Sequence, residues 1–151
     1  MKRIFVFSVL TLAIIACNKD KVESNPHLKF KSFNNDVVPS NGFVRATLEF
    51  TDQEGDLDSI FVTRRRLNKR GPAYFEYYYG QTPEFGEQNR GELQIDFEVA
   101  KDLIFGLPAI GIPGSTPPRN EPDTLQLRFY LKDKEGHTSD TAVASTLIVI
   151  R

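Results

Sequence analysis

Three segments of the chain alternate between apolar and polar residues, at 42–50, 91–99 and 124–132. Within each segment every second side chain is aliphatic or aromatic, and those between are mostly charged or polar. A side-chain period of two places one face of a strand against a core and the other face in water. These segments are therefore predicted to be half-exposed antiparallel β-strands.

Four further segments have weaker strand signals and are separated from the others by turn residues. They are 28–33, 59–67, 73–79 and 141–150. No window has a sustained helical period, which argues against α/β folds that depend on crossover helices. Seven strands in one segment of this length predict an all-β fold, a single antiparallel sandwich of two sheets.

The N-terminal segment has a cationic head at 1–3 and an uncharged core from Ile4 to Ala16, which is too short to cross a bilayer as a stable helix. The sequence Ile14-Ile15-Ala16-Cys17 follows, and Asn18-Lys19-Asp20 then turns the chain polar. This arrangement resembles the signal peptide and lipobox of a bacterial lipoprotein precursor. The alternative is an ordinary secretory peptide cleaved near Ala16, in which Cys17 is incidental.

The resemblance implies that Cys17 receives a diacylglyceryl group and becomes the acylated N-terminus after cleavage. Two or three acyl chains hold a protein on a membrane far more firmly than one, because each buried methylene contributes about 0.8 kcal/mol. Asn18 resembles the residue that follows the cysteine in lipoproteins of the outer membrane. We expect a lipid-anchored protein of the bacterial cell envelope, on either the periplasmic face or the cell-surface face of the membrane.

Composition limits the remaining possibilities. The chain has 151 residues, a formal net charge of −1 and one cysteine. Nucleic acid is not an expected partner, because such binding requires a basic face. With Cys17 lipidated, neither a disulfide nor thiolate catalysis is available. We expect three segments: a signal peptide at 1–16, a lipidated N-terminus and tether at 17–27, and one domain at 28–151.

Two turn motifs carry a second resemblance. The segments Phe50-Thr-Asp-Gln-Glu-Gly-Asp-Leu57 and Leu131-Lys-Asp-Lys-Glu-Gly-His-Thr-Ser-Asp-Thr141 resemble strand-turn sequences of immunoglobulin-like domains in bacterial surface lipoproteins. Fibronectin-type and cadherin-like domains share such turns. The resemblance implies that residues 28–151 form a seven-stranded immunoglobulin-like sandwich.

The turn at 52–58 carries four carboxylates in seven residues. Calcium prefers six to eight oxygen ligands, and a tight loop containing glycine can bring several carboxylates together. The candidate ligands are Asp52, Glu54, Asp56 and Asp58, with Asp133 contributed by another loop. In the alternative interpretation Asp52 caps a plain turn, Gly55 adopts the left-handed conformation, and the other carboxylates are solvated.

The residues His137, Ser139 and Asp140 have the side chains of a hydrolase triad. They lie within one short hairpin loop, whereas a triad converges from separate segments. The sequence also lacks a Gly-x-Ser-x-Gly elbow. We therefore expect a protein that is not an enzyme, and an envelope hydrolase is the least favoured alternative.

Five cations lie in the segment 64–70, directly before an aromatic strand. Cations beside aromatic rings can bind anionic groups or acidic protein surfaces. The candidate partner-binding residues are Arg64, Arg66, Tyr77 and Tyr79. In the alternative interpretation these arginines pair across strands with acidic neighbours such as Glu76 on a solvated sheet face.

The segment 105–122 contains five prolines and three glycines, which prevent a helix or a regular paired strand. Three apolar residues within it are candidate partner contacts: Leu107, Ile110 and Ile112. Long ordered loops in small domains are often functional. The alternative is a loop that covers an open end or edge of the sandwich.

The expected role is non-catalytic: a binding, adhesion-like or accessory structural module. The expected partners are the membrane, through the N-terminal lipid, and an envelope or surface protein. No cofactor is predicted apart from calcium, which defines the alternative function, a calcium-dependent binding module that uses the 52–58 turn.

Overall fold

A computed structural model describes residues 25–68, 75–83 and 88–151, without the side chains of residues 75–78. The predicted signal peptide 1–16, Cys17 and most of the predicted tether 17–27 lie outside the described residues. The side chain of Tyr77 does so as well. Among the described residues, no helix has both the length and the apolar character needed to cross a membrane.

Eight strands and one π-helical turn make up the regular structure of the described residues. The strands are β1 (His27–Phe33), β2 (Val37–Pro39), β3 (Phe43–Thr51), β4 (Leu57–Arg66), β5 (Phe75–Gln81), β6 (Arg90–Glu98), β7 (Asp123–Asp133) and β8 (Ala142–Ile150). The π-helical turn spans Val99–Leu103. The prediction of an all-β fold is confirmed for the described residues.

The predicted number of seven strands is wrong by one. Each of the seven predicted segments contains a strand, but the three-residue β2 was missed because so short a segment cannot show an alternating pattern. β2 pairs with β8 in parallel, so the prediction of a wholly antiparallel fold is also wrong. The other pairs of neighbouring strands are antiparallel.

The strands form two sheets that enclose one core. The smaller sheet has the order β1-β3-β6, and the larger has the order β2-β8-β7-β4-β5. Alternation dictates the inward faces: in β7 every second residue from Asp123 to Asp133 is buried. Each apolar side chain that is fully removed from water contributes roughly 1.5–3 kcal/mol. The largest fully buried side chains include Phe50, Phe97, Phe129, Leu48, Leu125, Leu127, Leu131 and Leu147.

Candidate functional site

Strand direction divides the domain into two ends. The register of β1 with β3 pairs His27 with Thr51, so the N-terminal side of the domain lies beside the 52–56 turn. The hairpin between β7 and β8 lies at the same end, because Leu57 pairs with Asp133. We call this the acidic end, consisting of 25–27, 51–57, 82–83, 88–90 and 133–141. The opposite end, which contains 99–122 and Arg151, is called the loop end.

Three carboxylates of the acidic end lie close together. One oxygen from each of Asp52, Glu54 and Asp56 lies within 4.8 Å of the others. Asp52 is only 2% exposed, whereas Glu54 is exposed and Asp56 is half-buried. The Oδ1 atoms of Asp52 and Asp56 are buried without a hydrogen-bond partner. We call these three residues the carboxylate cluster.

The backbone holds the carboxylate cluster in place. The Asp56 N–H donates to Asp52 Oδ2 at 2.9 Å, and Gly55 has a φ of 69°, a conformation that glycine adopts without strain. Two other segments fasten the turn from outside, because Asp52 N–H donates to Asn89 O at 2.8 Å and Lys134 N–H donates to Asp56 O at 3.1 Å. The left-handed conformation of Gly55, which the plain-turn interpretation predicts, is confirmed.

Burial raises the pKa of the Asp52 carboxyl. The nearby carboxylates of Asp56 and Asp133 raise this pKa further, whereas backbone N–H donors from Asp56 and Gly55 lower it. Desolvation disfavours the charged form of a carboxyl group, and like charges act in the same direction. The acidic end therefore carries electrostatic repulsion that its backbone donors offset only in part.

The structure places the other two predicted calcium ligands outside the carboxylate cluster. Asp58 lies within β4 and is half-buried. Asp133 is 3% exposed and accepts hydrogen bonds from His137, at 2.7 Å from the backbone N–H and 2.8 Å from Nδ1. The hydrogen bond with Asp133 raises the pKa of His137. Asp133 therefore closes its own hairpin with His137.

Ser139 is engaged by the backbone of the same hairpin. Its Oγ accepts from Leu131 N–H at 2.8 Å and donates to Asp140 O at 2.7 Å. A nucleophilic serine requires a base within hydrogen-bond reach of its hydroxyl, whereas the His137 ring forms its hydrogen bond with Asp133. The three residues His137, Ser139 and Asp140 stabilise the hairpin by these contacts.

Arg64 and Arg66 reach the loop end. Both side chains lie on the same, inward face of β4 as Val62. Their guanidinium groups donate to backbone carbonyls of the segment that follows β6. Arg64 donates to Leu103 O and, at 2.7 Å, to Phe105 O. Arg66 donates to Pro108 O at 2.8 Å. These two predicted partner-binding residues thus hold the start of the loop at 105–122 against the domain.

A buried aspartate completes this arrangement. Asp123 has no exposed side-chain surface and accepts from Arg66 at one carboxylate oxygen and from Arg151 at the other, the latter at 2.7 Å. Arg151 also donates to Leu107 O at 2.8 Å. Burial lowers the pKa of both arginines. We call Arg66, Asp123 and Arg151 the arginine clamp, because they join β4, β7, the residue that follows β8 and the loop.

The three apolar candidates of the 105–122 loop differ in burial. Leu107 packs against the core, Ile110 is half-buried, and Ile112 is 40% exposed. The loop is closed by backbone hydrogen bonds from Ile112 N–H to Arg119 O at 2.9 Å and from Glu121 N–H to Ile110 O at 2.7 Å. The loop is therefore an ordered hairpin-like structure, anchored at its base and exposed at its tip.

Tyr79 lies where the two sheets meet at one side. Its ring packs edge-on against Phe97 with centroids 5.2 Å apart, and its hydroxyl donates to Asp96 O. Burial raises its pKa. Tyr79 belongs to β5 and Phe97 to β6, so this contact joins the larger sheet to the smaller one. Tyr77 pairs with Val62 along the backbone.

Exposed apolar side chains concentrate towards the loop end. Eight large hydrophobic residues are exposed in the described chain, and Val143 lies on the part of its strand that is far from this end. The others are Val37, Phe43, Leu67, Tyr79, Phe105, Ile112 and Ile150. Phe105 is the most exposed of them, at 73%. The two ends of the domain thus differ in chemistry, one acidic and the other apolar.

Sequence reasoning missed the partners that give these residues their roles. Asp123 and Arg151 stand 28 residues apart, and only the pairing of β7 with β8 brings them together. A stacked pair on the outer face of the larger sheet, Phe61 and Tyr130 with centroids 4.8 Å apart, was missed as well. The sequence does contain a signal for this pair: in both strands an aromatic residue stands at a position where the alternating pattern predicts a polar, outward-facing side chain.

Comparisons with known proteins identify no family for the chain. No protein-family model matches it, and no curated protein matches it. Among solved structures, an alkylpurine DNA glycosylase from Pseudomonas fluorescens, AlkC, bound to DNA containing an abasic site analogue, aligns with a TM-score of 0.51 at 4% identity. The alignment covers 85% of this chain and 31% of the glycosylase, and it shows similarity of fold alone.

Two other solved structures align less closely. The sporulation control protein Spo0M from Bacillus subtilis has a TM-score of 0.45 at 11% identity, over 84% of this chain and 50% of Spo0M. A Niemann-Pick type C2 protein from the Japanese carpenter ant has a TM-score of 0.47 at 11% identity, over 82% of this chain and 92% of that protein. The chain therefore spans half or less of two of the three proteins.

Proposed function

We propose that the protein is a lipid-anchored, non-catalytic module of the bacterial cell envelope, held on the outer membrane through Cys17, that binds a protein partner through its loop end. The observation that carries this proposal is the opposition of the two ends. The chain enters the domain at the acidic end, whereas the clamped loop and most exposed apolar side chains lie towards the opposite end.

The strand order supports an immunoglobulin-like arrangement for the domain. In the constant-type immunoglobulin sandwich the first, second, fourth and fifth strands share one sheet, and the third, sixth and seventh form the other. Here, with the short β2 left aside, β1-β3-β6 form one sheet and β8, β7 and β4 adjoin in the other in the same way, but the fourth strand, β5, lies beside β4 in the second sheet. The short β2 joins the second sheet beside β8 immediately after β1 leaves the first. This topology fits the proposed role of a compact display domain.

A short tether would fix which end of the domain faces the membrane. The seven residues between Cys17 and the start of the described chain at Asn25 allow a separation of at most roughly 30 Å when extended. A lipid at Cys17 would keep the acidic end near the membrane and direct the loop end away from it. A partner approaching from the periplasm or from outside the cell would then meet the loop end first.

The loop end has the properties of a preformed binding surface. The clamp and the backbone hydrogen bonds order the loop before any partner binds, so less conformational entropy is lost on association. Phe105 and Ile112 place apolar side chains in water, which is unfavourable unless another surface covers them. Aromatic residues at the centre of an interface often contribute most of its binding energy. Phe105 is therefore the proposed principal contact.

Replacing Cys17 with Ser should release the protein from the membrane. The thiol is the only nucleophile of its kind in the chain, so no acyl chain can be attached through a thioether without it. We expect wild-type protein in the washed membrane fraction of its native host and Cys17→Ser in the soluble fraction. Ser8→Ala, within the same segment, is the control and should stay membrane-bound. Retention of Cys17→Ser in carbonate-washed membranes would show that the anchor is wrong.

Replacing Phe105 and Ile112 with Ala should reduce partner binding at least about tenfold, because each removes exposed apolar area from the proposed interface. The partner would first be identified in intact native cells with a photo-crosslinking residue at position 105. A crosslinker at position 143 is the control, because Val143 is similarly apolar and 47% exposed away from the loop end.

Binding of the purified partner to full-length wild type, Phe105→Ala/Ile112→Ala and Val143→Ala would then be compared. Unfolding midpoints in urea should be nearly equal for the three proteins, since the altered side chains are exposed. Equal affinities of wild type and the double variant, or the same adducts from positions 105 and 143, would contradict binding through the loop end.

A further inference from the structure

We propose that the carboxylate cluster of Asp52, Glu54 and Asp56 is a calcium-binding site at the acidic end. This proposal does not depend on the proposed partner binding or on the lipid anchor. It rests on two independent observations: the convergence of three carboxylates within 4.8 Å, and the presence of buried carboxylate oxygens that have no partner.

The unpartnered oxygens indicate what the site lacks. Asp52 is 2% exposed, and while its Oδ2 accepts from Asp56 N–H, its Oδ1 is buried without a donor. Asp56 Oδ1 is in the same condition. A buried carboxylate oxygen that is removed from water without a replacement contact is costly, and nearly all such atoms in folded proteins have a partner. A cation bound by the carboxylate cluster would place positive charge beside both of these carboxylates.

No lysine or arginine of the described chain supplies that positive charge. Within residues 25–68, 75–83 and 88–151, none of them forms an ion pair with the three carboxylates, whereas seven other ion pairs are present. The carboxylate of Asp133 raises the pKa of Asp52 and that of Glu135 raises the pKa of Glu54, while the nearby His137 lowers the pKa of Glu54. A mobile cation would relieve this repulsion.

The geometry of the turn favours binding without rearrangement. Three hydrogen bonds hold the backbone between Asp52 and Asp56: from Asp56 N–H to Asp52 Oδ2, from Asp52 N–H to Asn89 O, and from Lys134 N–H to Asp56 O. The two buried oxygens are therefore already positioned. Glu54 is exposed at the surface, which leaves the cluster open on one side. Preorganised ligands lose little freedom when the ion binds. The open side leaves room for water to complete the coordination.

The donor set determines the class of ion. All three side chains offer oxygen, with neither imidazole nor thiolate in the cluster, and oxygen donors suit hard cations. Calcium accepts irregular coordination, whereas Mg²⁺ requires near-octahedral geometry and loses its water reluctantly. Three carboxylates with water in the other positions match a weak calcium site, for which Kd is about 10⁻⁴–10⁻³ M.

Titration of the full-length protein with CaCl₂ tests this site. Calorimetry should give one saturable event with a Kd of about 10⁻⁴–10⁻³ M, and 10 mM CaCl₂ should raise Tm on the order of 5 °C. NaCl of equal ionic strength should not reproduce this rise. In Glu54→Gln/Asp56→Asn we expect Kd to increase at least about tenfold and the rise in Tm to disappear. Neither substitution removes a side-chain hydrogen bond seen in the structure.

Asp58→Asn is the matched control, because it removes one negative charge from the same segment without altering the carboxylate cluster. It should retain the wild-type Kd. The proposal would be overturned by the absence of saturable binding up to 10 mM, by unchanged binding in the double variant, or by equal loss of affinity in Asp58→Asn. An equal rise in Tm with MgCl₂ would overturn the assignment of calcium. Because no partner is present in these titrations, their outcome is separate from that of the partner-binding experiments.

Discussion

Replacing Asp123 with Asn should destabilise the protein by about 3–5 kcal/mol, which is a large part of the 5–15 kcal/mol typical of a folded domain. The Asp123 side chain has no exposed surface, and those of Arg66 and Arg151 are 7% and 15% exposed. The variant keeps the shape of the side chain but removes its charge. Two guanidinium groups would then remain in a largely dry environment without their common counterion.

Removing the Asp123 charge should loosen the 105–122 loop before it affects the rest of the domain. Arg66 and Arg151 also hold Pro108 O and Leu107 O, so displaced arginines would release the base of the loop. Hydrogen exchange should therefore accelerate at the Ile112 and Glu121 amides, which close the loop by backbone hydrogen bonds. This local readout separates loosening of the loop from general destabilisation.

Urea unfolding of full-length wild type and Asp123→Asn measures the change in free energy. Asp96→Asn is a suitable control, because Asp96 forms the same kind of pair with Arg45, at 2.6 Å, but on an exposed surface. Exposed pairs contribute little to stability, so its unfolding midpoint should hardly move. Equal unfolding midpoints for Asp123→Asn and Asp96→Asn would show that the buried arginine clamp stabilises the protein no more than an exposed ion pair does.

Replacing Phe129 with Ala should destabilise the protein by about 3–5 kcal/mol through the cavity that it leaves. Phe129 is fully buried in the larger sheet. Its ring faces Phe30 and Phe97 of the smaller sheet, with centroids 6.3 Å and 6.4 Å away. Three rings thus meet between the sheets, and the surrounding strands cannot collapse into the space without losing their pairing.

The matched control for this variant is Tyr130→Ala, because Tyr130 is the next residue of the same strand but lies on the outer, half-exposed face. Its stack with Phe61 should contribute only about 1 kcal/mol. Chemical denaturation followed by circular dichroism compares the two variants. A loss from Phe129→Ala no greater than that from Tyr130→Ala would contradict the assignment of Phe129 to the centre of the core.

The proposed membrane attachment follows from the sequence alone, whereas the proposed calcium site also depends on the tertiary structure. The expected lipidation of Cys17 follows from residues 1–17, which form a local chemical signal that a modifying enzyme would read without the fold. The proposed calcium site also has a local signal, since Asp52, Glu54 and Asp56 are close in sequence. The candidate ligands read from the sequence also included Asp58 in the same turn and Asp133 in another loop, and the structure was needed to separate them from the three that converge.

The sequence by itself determined the strands and their faces, because a period of two decides which side chains are buried wherever a segment is long enough to show it. It also determined the turn at Gly55, whose left-handed backbone is a property of glycine. These features depend on neighbours along the chain. They were therefore readable for β3, β6 and β7, but not for the three residues of β2.

Only the tertiary structure decided what Arg64 and Arg66 contact. Their position on a strand indicated a shared face, but the 105–122 loop, Asp123 and Arg151 reach that face through strand pairings far apart in sequence. The same is true of the two ends, whose acidic and apolar characters arise from turns that strand direction brings together. Residues without local periodicity acquire their partners through packing, and no pattern along the chain records those partners.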